Sequence, residues 1–277
     1  MWIVLFESIR TLYELALMNV RNSSALALFL FVSASLSACH SEKVRNRANE
    51  MNLPPVMLWA WERPEDLRFL KSGRYGVAML AQTLVLKDDE VIYKPRRQPL
   101  LLPPDVRVVA VTRIETQRSD NKRPLLSSRQ SMRVSDLVRK TLELPNVSAL
   151  QLDFDASASE RDFYRRLLQE IRSKLPEETP LSITALASFC VGDRWIKDLP
   201  VDEAIPMAFR MGTDSARIKT MLASGSDFRG DLCQRSYGIA LDEPLNVTFD
   251  TGRRVYVFNS RSWKESDLNV LEERLGQ

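Results

Sequence analysis

Eight short apolar runs, several of them separated by amphipathic helical patterns, predict an α/β fold: a (β/α)8, TIM-barrel-like single domain. The strand-like runs are Val56–Trp61, Gly76–Leu84, Val106–Glu115, Val147–Asp155, Leu181–Ala187, Ala204–Met211, Gly238–Leu241 and Val255–Asn259. They lie close together, so the barrel is expected to be compact and slightly degenerate. A doubly wound open sheet is the alternative, but no Gly-rich phosphate loop follows any run. Among the helices, Met132–Leu144 spaces Val134, Leu137, Val138 and Leu142 on one face. Ser159–Leu175, opened by the cap-like Ser159, does the same with Phe163, Leu167, Leu168 and Ile171. Shorter helical candidates are Pro64–Lys71, Asp214–Leu222 and Glu265–Leu275. Leu84–Tyr93 reads instead as a hairpin turning at Lys87-Asp88-Asp89-Glu90.

Ahead of this domain (residues 54–277) the chain divides into a segment 1–38 and a segment 39–53. Leu36-Ser37-Ala38-Cys39 follows an apolar run from Ala25 to Val32 and has the form of a lipobox. It predicts a signal peptide removed before Cys39 and membrane lipid attached as diacylglyceryl-Cys39. The signal reads best from Met18, with Arg21 in its n-region, because Trp2–Leu17 carries Glu7 and Glu14. That earlier stretch is a start-codon extension or a short amphipathic helix. Neither apolar run reaches the roughly 20 residues that span a bilayer. Residues 40–53 are polar and read as a tether, ended by Pro54-Pro55. His40, standing where an Asp would retain the protein at the inner membrane, resembles the outer-membrane sorting pattern. The expected location is the cell envelope, lipid-anchored in the outer membrane and facing the periplasm.

The net charge of +3, from 39 basic and 36 acidic residues, gives no reason to expect a nucleic-acid partner. With Cys39 acylated, Cys190 and Cys233 remain as an even pair in an oxidising compartment. They are expected to form a disulfide worth roughly 4 kcal/mol in the chain-entropy model, two buried thiols being the alternative. The single histidine is His40, beside the anchor, so Ser-His-Asp, Cys-His and His-based zinc chemistry are excluded. No metal or other cofactor is expected.

Active sites of such barrels form at the C-terminal ends of the strands. Those ends here carry Trp59, Trp61 and Glu62; Arg113 and Glu115; Asp153 and Asp155; Arg210; and Glu243. Gln151, Asp153 and Asp155 share one strand face, while Leu150, Leu152 and Phe154 share the other. Carboxylates inside a barrel are costly unless paired or wetted, which makes Asp153 and Asp155 either catalytic or structural. Arg113 and Glu115 also share a face, as do Trp59 and Trp61, whose indoles can stack on sugar rings or fill core. Arg210 is placed to hold a ligand or to neutralise the aspartates. Trp195, beside Cys190, is a further candidate for the pocket lining.

Four segments resemble an uncharacterised family of bacterial envelope proteins known only as a domain of unknown function. They are Pro55–Glu62, Leu150–Ala156, Leu181–Ser188 with Cys190 and Trp195, and Ala204–Gly212. More distantly, the layout is similar to chitinase-like barrel glycoside hydrolases, whose fourth strand carries Asp-x-Asp-x-Glu. Asp153-Phe154-Asp155 matches the two aspartates, but Ser157 stands where the acidic Glu belongs. The resemblance implies a glycoside-hydrolase-like barrel acting on a polysaccharide. With Ser157 in the acid's place, another carboxylate has to do that work; on that reading Asp155 is the general acid, Asp153 its electrostatic partner and Glu115 the base or nucleophile. Trp59, Trp61, Glu62, Arg113, Arg210 and Trp195 would bind substrate. The alternative is a carbohydrate-binding or scaffold lipoprotein without turnover. A Mg2+- or Ca2+-assisted hydrolase using Asp153, Asp155 and Glu115 is a third, weaker reading, because their spacing matches no known metal loop.

Overall fold

Eleven strands and four α-helices make up the computed structural model, which describes residues 51–117, 123–193, 195–243, 245, 247 and 252–276. The signal segment, Cys39 and His40 lie outside the described residues. The strands are β1 (Val56–Ala60), β2 (Glu65–Asp66), β3 (Tyr75–Lys87), β4 (Glu90–Pro95), β5 (Leu100–Leu101) and β6 (Val108–Thr116). They continue with β7 (Val147–Asp153), β8 (Leu181–Leu186), β9 (Glu203–Met207), β10 (Ser236–Ala240) and β11 (Arg254–Phe258). The helices are α1 (Ser128–Lys140), α2 (Arg161–Lys174), α3 (Ser215–Ala223) and α4 (Ser266–Leu275).

Eight strands run parallel and close on themselves in the order β1-β3-β6-β7-β8-β9-β10-β11. Closure is made by β1, where Met57 lies opposite Tyr256 on one side and Gly76 on the other. These eight are the strand-like runs of the sequence, in the same order, so the barrel prediction holds. At the floor, Met51 is buried and Leu53 packs on the interior cluster. Arg254 Nε donates to the Pro54 carbonyl at 3.2 Å.

Alternating side chains give the barrel two apolar populations. Leu58, Val77, Leu150, Ile183, Ala204 and Val257 join the helix-facing core. Met57, Trp59, Ala78, Val109, Val111, Ile205 and Tyr256 fill the interior. The ladder register stacks inward residues in tiers drawn from alternate strands. One tier holds Trp59, Val111, Thr184 and Gly238; the next one down holds Ala78, Gln151, Ile205 and Tyr256. A Cβ at Gly238 would meet the Pro206 carbonyl oxygen at 2.9 Å, so β9 and β10 approach this closely only with glycine there.

Local departures from the sequence reading have identifiable causes. Pro64–Lys71 is not a helix, because its amides are used elsewhere: Glu65 N–H donates to Pro99 O and Leu67 N–H to Leu101 O. The β2–β5 ribbon results. Helix α1 begins before Met132 because Ser127 and Gln130 form a capping box. Helix α2 follows a 3-10 turn, Ala158–Glu160, whose cap is Ser157 rather than Ser159. Among the described residues the β8–β9 connection holds no α-helix. A 3-10 turn, Ala187–Cys190, takes its place, and the Cys190–Cys233 disulfide ties it to the segment before β10.

Candidate active site at the barrel mouth

Asp153 is the last residue of β7, and its side chain points into the mouth. It is only 8 % exposed. Thr184, on neighbouring β8, donates to its Oδ1 at 2.7 Å. Arg113 Nη1 lies 3.8 Å from Oδ2, and Arg113 Nε lies 3.1 Å from Glu115. One guanidinium therefore stands between two carboxylates, meeting each through a different nitrogen. Burial pushes the Asp153 carboxyl above the ordinary aspartate range; the Thr184 hydrogen bond and Arg113 oppose this, while Asp155 and Glu115 add to it.

Strand extension explains why Arg113 and Glu115 reach the mouth. Strand β3 is long and continues with β4 above the ring, and β6 follows it: Thr83 pairs with Arg113 and Val85 with Glu115. A register shift between Leu80 and Gln82 sets that upper pairing. Asp155 departs from the expectation of a shared strand face. β7 ends at Asp153, and Asp155 stands exposed on the following loop.

The opposite wall is aromatic. By register, Phe258 occupies the same tier as Asp153. Trp59 stacks on Phe258 with centroids 4.4 Å apart, and Phe209 lies 4.6 Å from Phe258. Trp61 is half-buried, 5.3 Å from Trp59 and 6.2 Å from Phe258. Trp59 itself is fully buried, so Trp61 is the indole able to offer a face to a ligand. Arg96 fixes the backbone around it, donating to Trp61 O at 2.6 Å and Arg63 O at 2.7 Å. Phe209, Phe258 and Arg96 are not among the sequence candidates; Phe258 closes β11 and Phe209 lies two residues past β9, both in the inward phase, which is the signal that could have found them.

The other sequence candidates serve the rim's framework. Glu62 accepts from the backbone N–H groups of Arg97 and Gln98 at 2.8 and 3.1 Å. Arg210 is exposed, with a left-handed φ of 49°, and its N–H donates to Glu243 at 2.9 Å. Lys219 pairs with the same Glu243 at 2.9 Å. Trp195 packs against Tyr164 and Phe189, 5.9 and 5.3 Å between centroids, on the helix-facing core rather than the barrel interior. Ser157 uses both its N–H and its hydroxyl on Glu160 Oε2, each at 2.7 Å. Among the described residues no cluster of His, Cys, Asp and Glu has metal-ligand geometry, and no helix is long and apolar enough to cross a membrane.

A family model described as "Domain of unknown function (DUF3142)" matches residues 105–197, from the approach to β6 through the turn after β8. That span includes Arg113, Glu115, Asp153 and Asp155. None of the curated proteins matches the sequence. Among solved structures, the chain is similar to the chitinase domain of the spore coat protein CotE from Clostridium difficile, at 14% identity and a TM-score of 0.37. The alignment covers 80% of this chain and 61% of that one, so the chain spans under two thirds of its neighbour's length. The barrel assignment rests on the strand pairing itself; the family match falls on the strands that carry the carboxylates.

Proposed function

We propose that this chain is an envelope lipoprotein whose barrel binds a polysaccharide on the Trp61 side of the mouth and hydrolyses it by carboxyl acid–base chemistry. The observation that carries the reading is the Asp153–Arg113–Glu115 arrangement facing an aromatic wall. A carboxyl whose pKa burial raises is better suited to donate a proton to a glycosidic oxygen than one exposed to solvent, so the acid role falls to Asp153 rather than to Asp155. As the C1–O bond breaks, the leaving sugar takes that proton. Water adds to the anomeric carbon and loses its own proton to Glu115. Direct attack of this water inverts the anomeric carbon and needs roughly 6.5–9.5 Å between the two carboxyls.

The test is incubation of the soluble domain with labelled glycans, following product release and its anomeric form by NMR. Turnover is expected to fall by about 10²-fold or more in Asp153→Asn with binding retained. Trp61→Ala is expected to weaken binding. Binding without any turnover favours the second reading, a non-catalytic carbohydrate-binding lipoprotein. The observation behind that alternative is Ser157, which is committed to Glu160 and supplies no acid where the chitinase-like pattern has one. Anchoring is tested separately: Cys39→Ser is expected to move the protein from the membrane to the soluble fraction.

A further inference from the structure

Directly beneath Asp153 the barrel axis is polar where such barrels are usually apolar. Gln151, two residues earlier on the same face of β7, has no exposed surface, and neither its Oε1 nor its Nε2 has a partner. By register it shares a tier with Ala78, Ile205 and Tyr256. Tyr256 turns its hydroxyl away, donating to Glu203 at 2.5 Å. In the tier above, Trp59 Nε1 is buried without a partner; in the tier below, so is Ser236 Oγ. Three side chains on three strands thus bring four unpaired polar atoms to consecutive levels of one axis, where Ala78 and Gly238 keep the packing small.

Leaving a carboxamide dry forfeits the hydration of each orphaned group with nothing in return. A buried water, with its two donors and two acceptors, matches this set, since Gln151 and Ser236 offer both kinds and Trp59 a donor. We propose that the barrel axis beneath Asp153 is a built water site, in which Gln151 holds the water that hydrates the Asp153 carboxyl. Inward residues two apart on a strand have Cα atoms about 7 Å apart; a water making two hydrogen bonds joins polar atoms up to about 5.8 Å apart, a span that the length of the Gln151 side chain brings within reach. Thr184 takes Asp153 Oδ1, while Oδ2 meets Arg113 Nη1 only at 3.8 Å and so can still accept from a water. The water site stands on its own geometry; only its service to an acid rests on the reading above.

Oxygen-17 relaxation dispersion on the intact domain counts long-lived internal waters. Gln151→Met, close in volume but without the amide, is expected to lower the dispersion step by about one water. The same variant is expected to raise the Asp153 midpoint, read from its 13Cγ titration, by about one pKa unit, because a hydrogen bond to the charged form is lost. Arg113 and Glu115 on β6, Thr184 on β8, Asp155 on the loop and Tyr164 on α2 surround the carboxyl and are unchanged by the substitution. If Gln151→Met does not fold, Ser236→Ala serves, with the same loss of one water and a smaller rise in the midpoint. An unchanged dispersion step, or a lost water with an unmoved Asp153 midpoint, overturns the proposal. A protein that keeps both signals yet cleaves no glycan overturns the hydrolase reading alone.

Discussion

At the scale of single residues, Asp153 is set by forces of opposite sign. Burial disfavours its charge, while the Thr184 hydroxyl and the Arg113 guanidinium favour it, and burial prevails. A carboxyl with a raised native pKa binds more protons folded than unfolded, so stability falls as pH rises through that interval. Below the unfolded value near 3.8 both states are protonated and the effect is absent. Asp153→Asn keeps the acceptor for Thr184 and removes the titration. The variant is therefore expected to match the wild type at pH 3 and to exceed it at pH 7. Urea midpoints at the two pH values check this; equal stability at both would show that the Asp153 pKa does not differ between the folded and unfolded states. Tyr164 answers to the same charges, its hydroxyl held well above the usual phenol range by burial and by Asp153 and Asp155.

Among elements, what could be read from sequence depended on whether the deciding contacts were local. All eight barrel strands were legible because each is buried on both faces and reads as a near-continuous apolar run. The Lys87–Glu90 turn was legible from its polar cluster, and β3 and β4 do pair there, Lys87 opposite Glu90. The 64–71 segment was not, because its amides bond to residues some 35 positions away. At the site, period-two alternation placed Arg113 beside Glu115 and Asp153 inward, but nothing local announced that β7 would end before Asp155. Trp195 could not be assigned either, since a loop residue's direction is set by the packing of α2 and the disulfide-tied turn. That disulfide ties the turn after β8 to the segment before β10. Its residues are 43 apart in sequence, so the chain-entropy model gives about 4 kcal/mol. Replacing both cysteines with alanine is expected to cost about 2–4 kcal/mol and to lower Tm by roughly 5–15 °C. Dithiothreitol should reproduce the loss in the wild type and leave the double variant unaffected.

For the whole molecule, closure is the property on which the mouth depends. Residues 51–277 form a compact unit of their own, and β1, paired with β11 on one side and β3 on the other, closes the ring inside it. All five residues of β1 are buried, with Met57 and Trp59 filling the interior and Val56, Leu58 and Ala60 facing the helices. Each large side chain there is worth roughly 1.5–3 kcal/mol of burial, and the set approaches the 5–15 kcal/mol that holds a typical domain together. Removing β1 would also leave β3 and β11 as open edges with unpaired amides. Its loss would unseat Trp263 as well, whose indole N–H donates to the Trp59 carbonyl at 2.9 Å. A chain beginning at Met51 is expected to unfold in one cooperative urea transition. A chain beginning at Glu62 should show none, with near-ultraviolet dichroism already lost in buffer. If the shorter chain keeps a cooperative transition, the helix-facing core holds the sheet without closure, and the geometry at Asp153 would then have to be set locally by β6, β7 and β8.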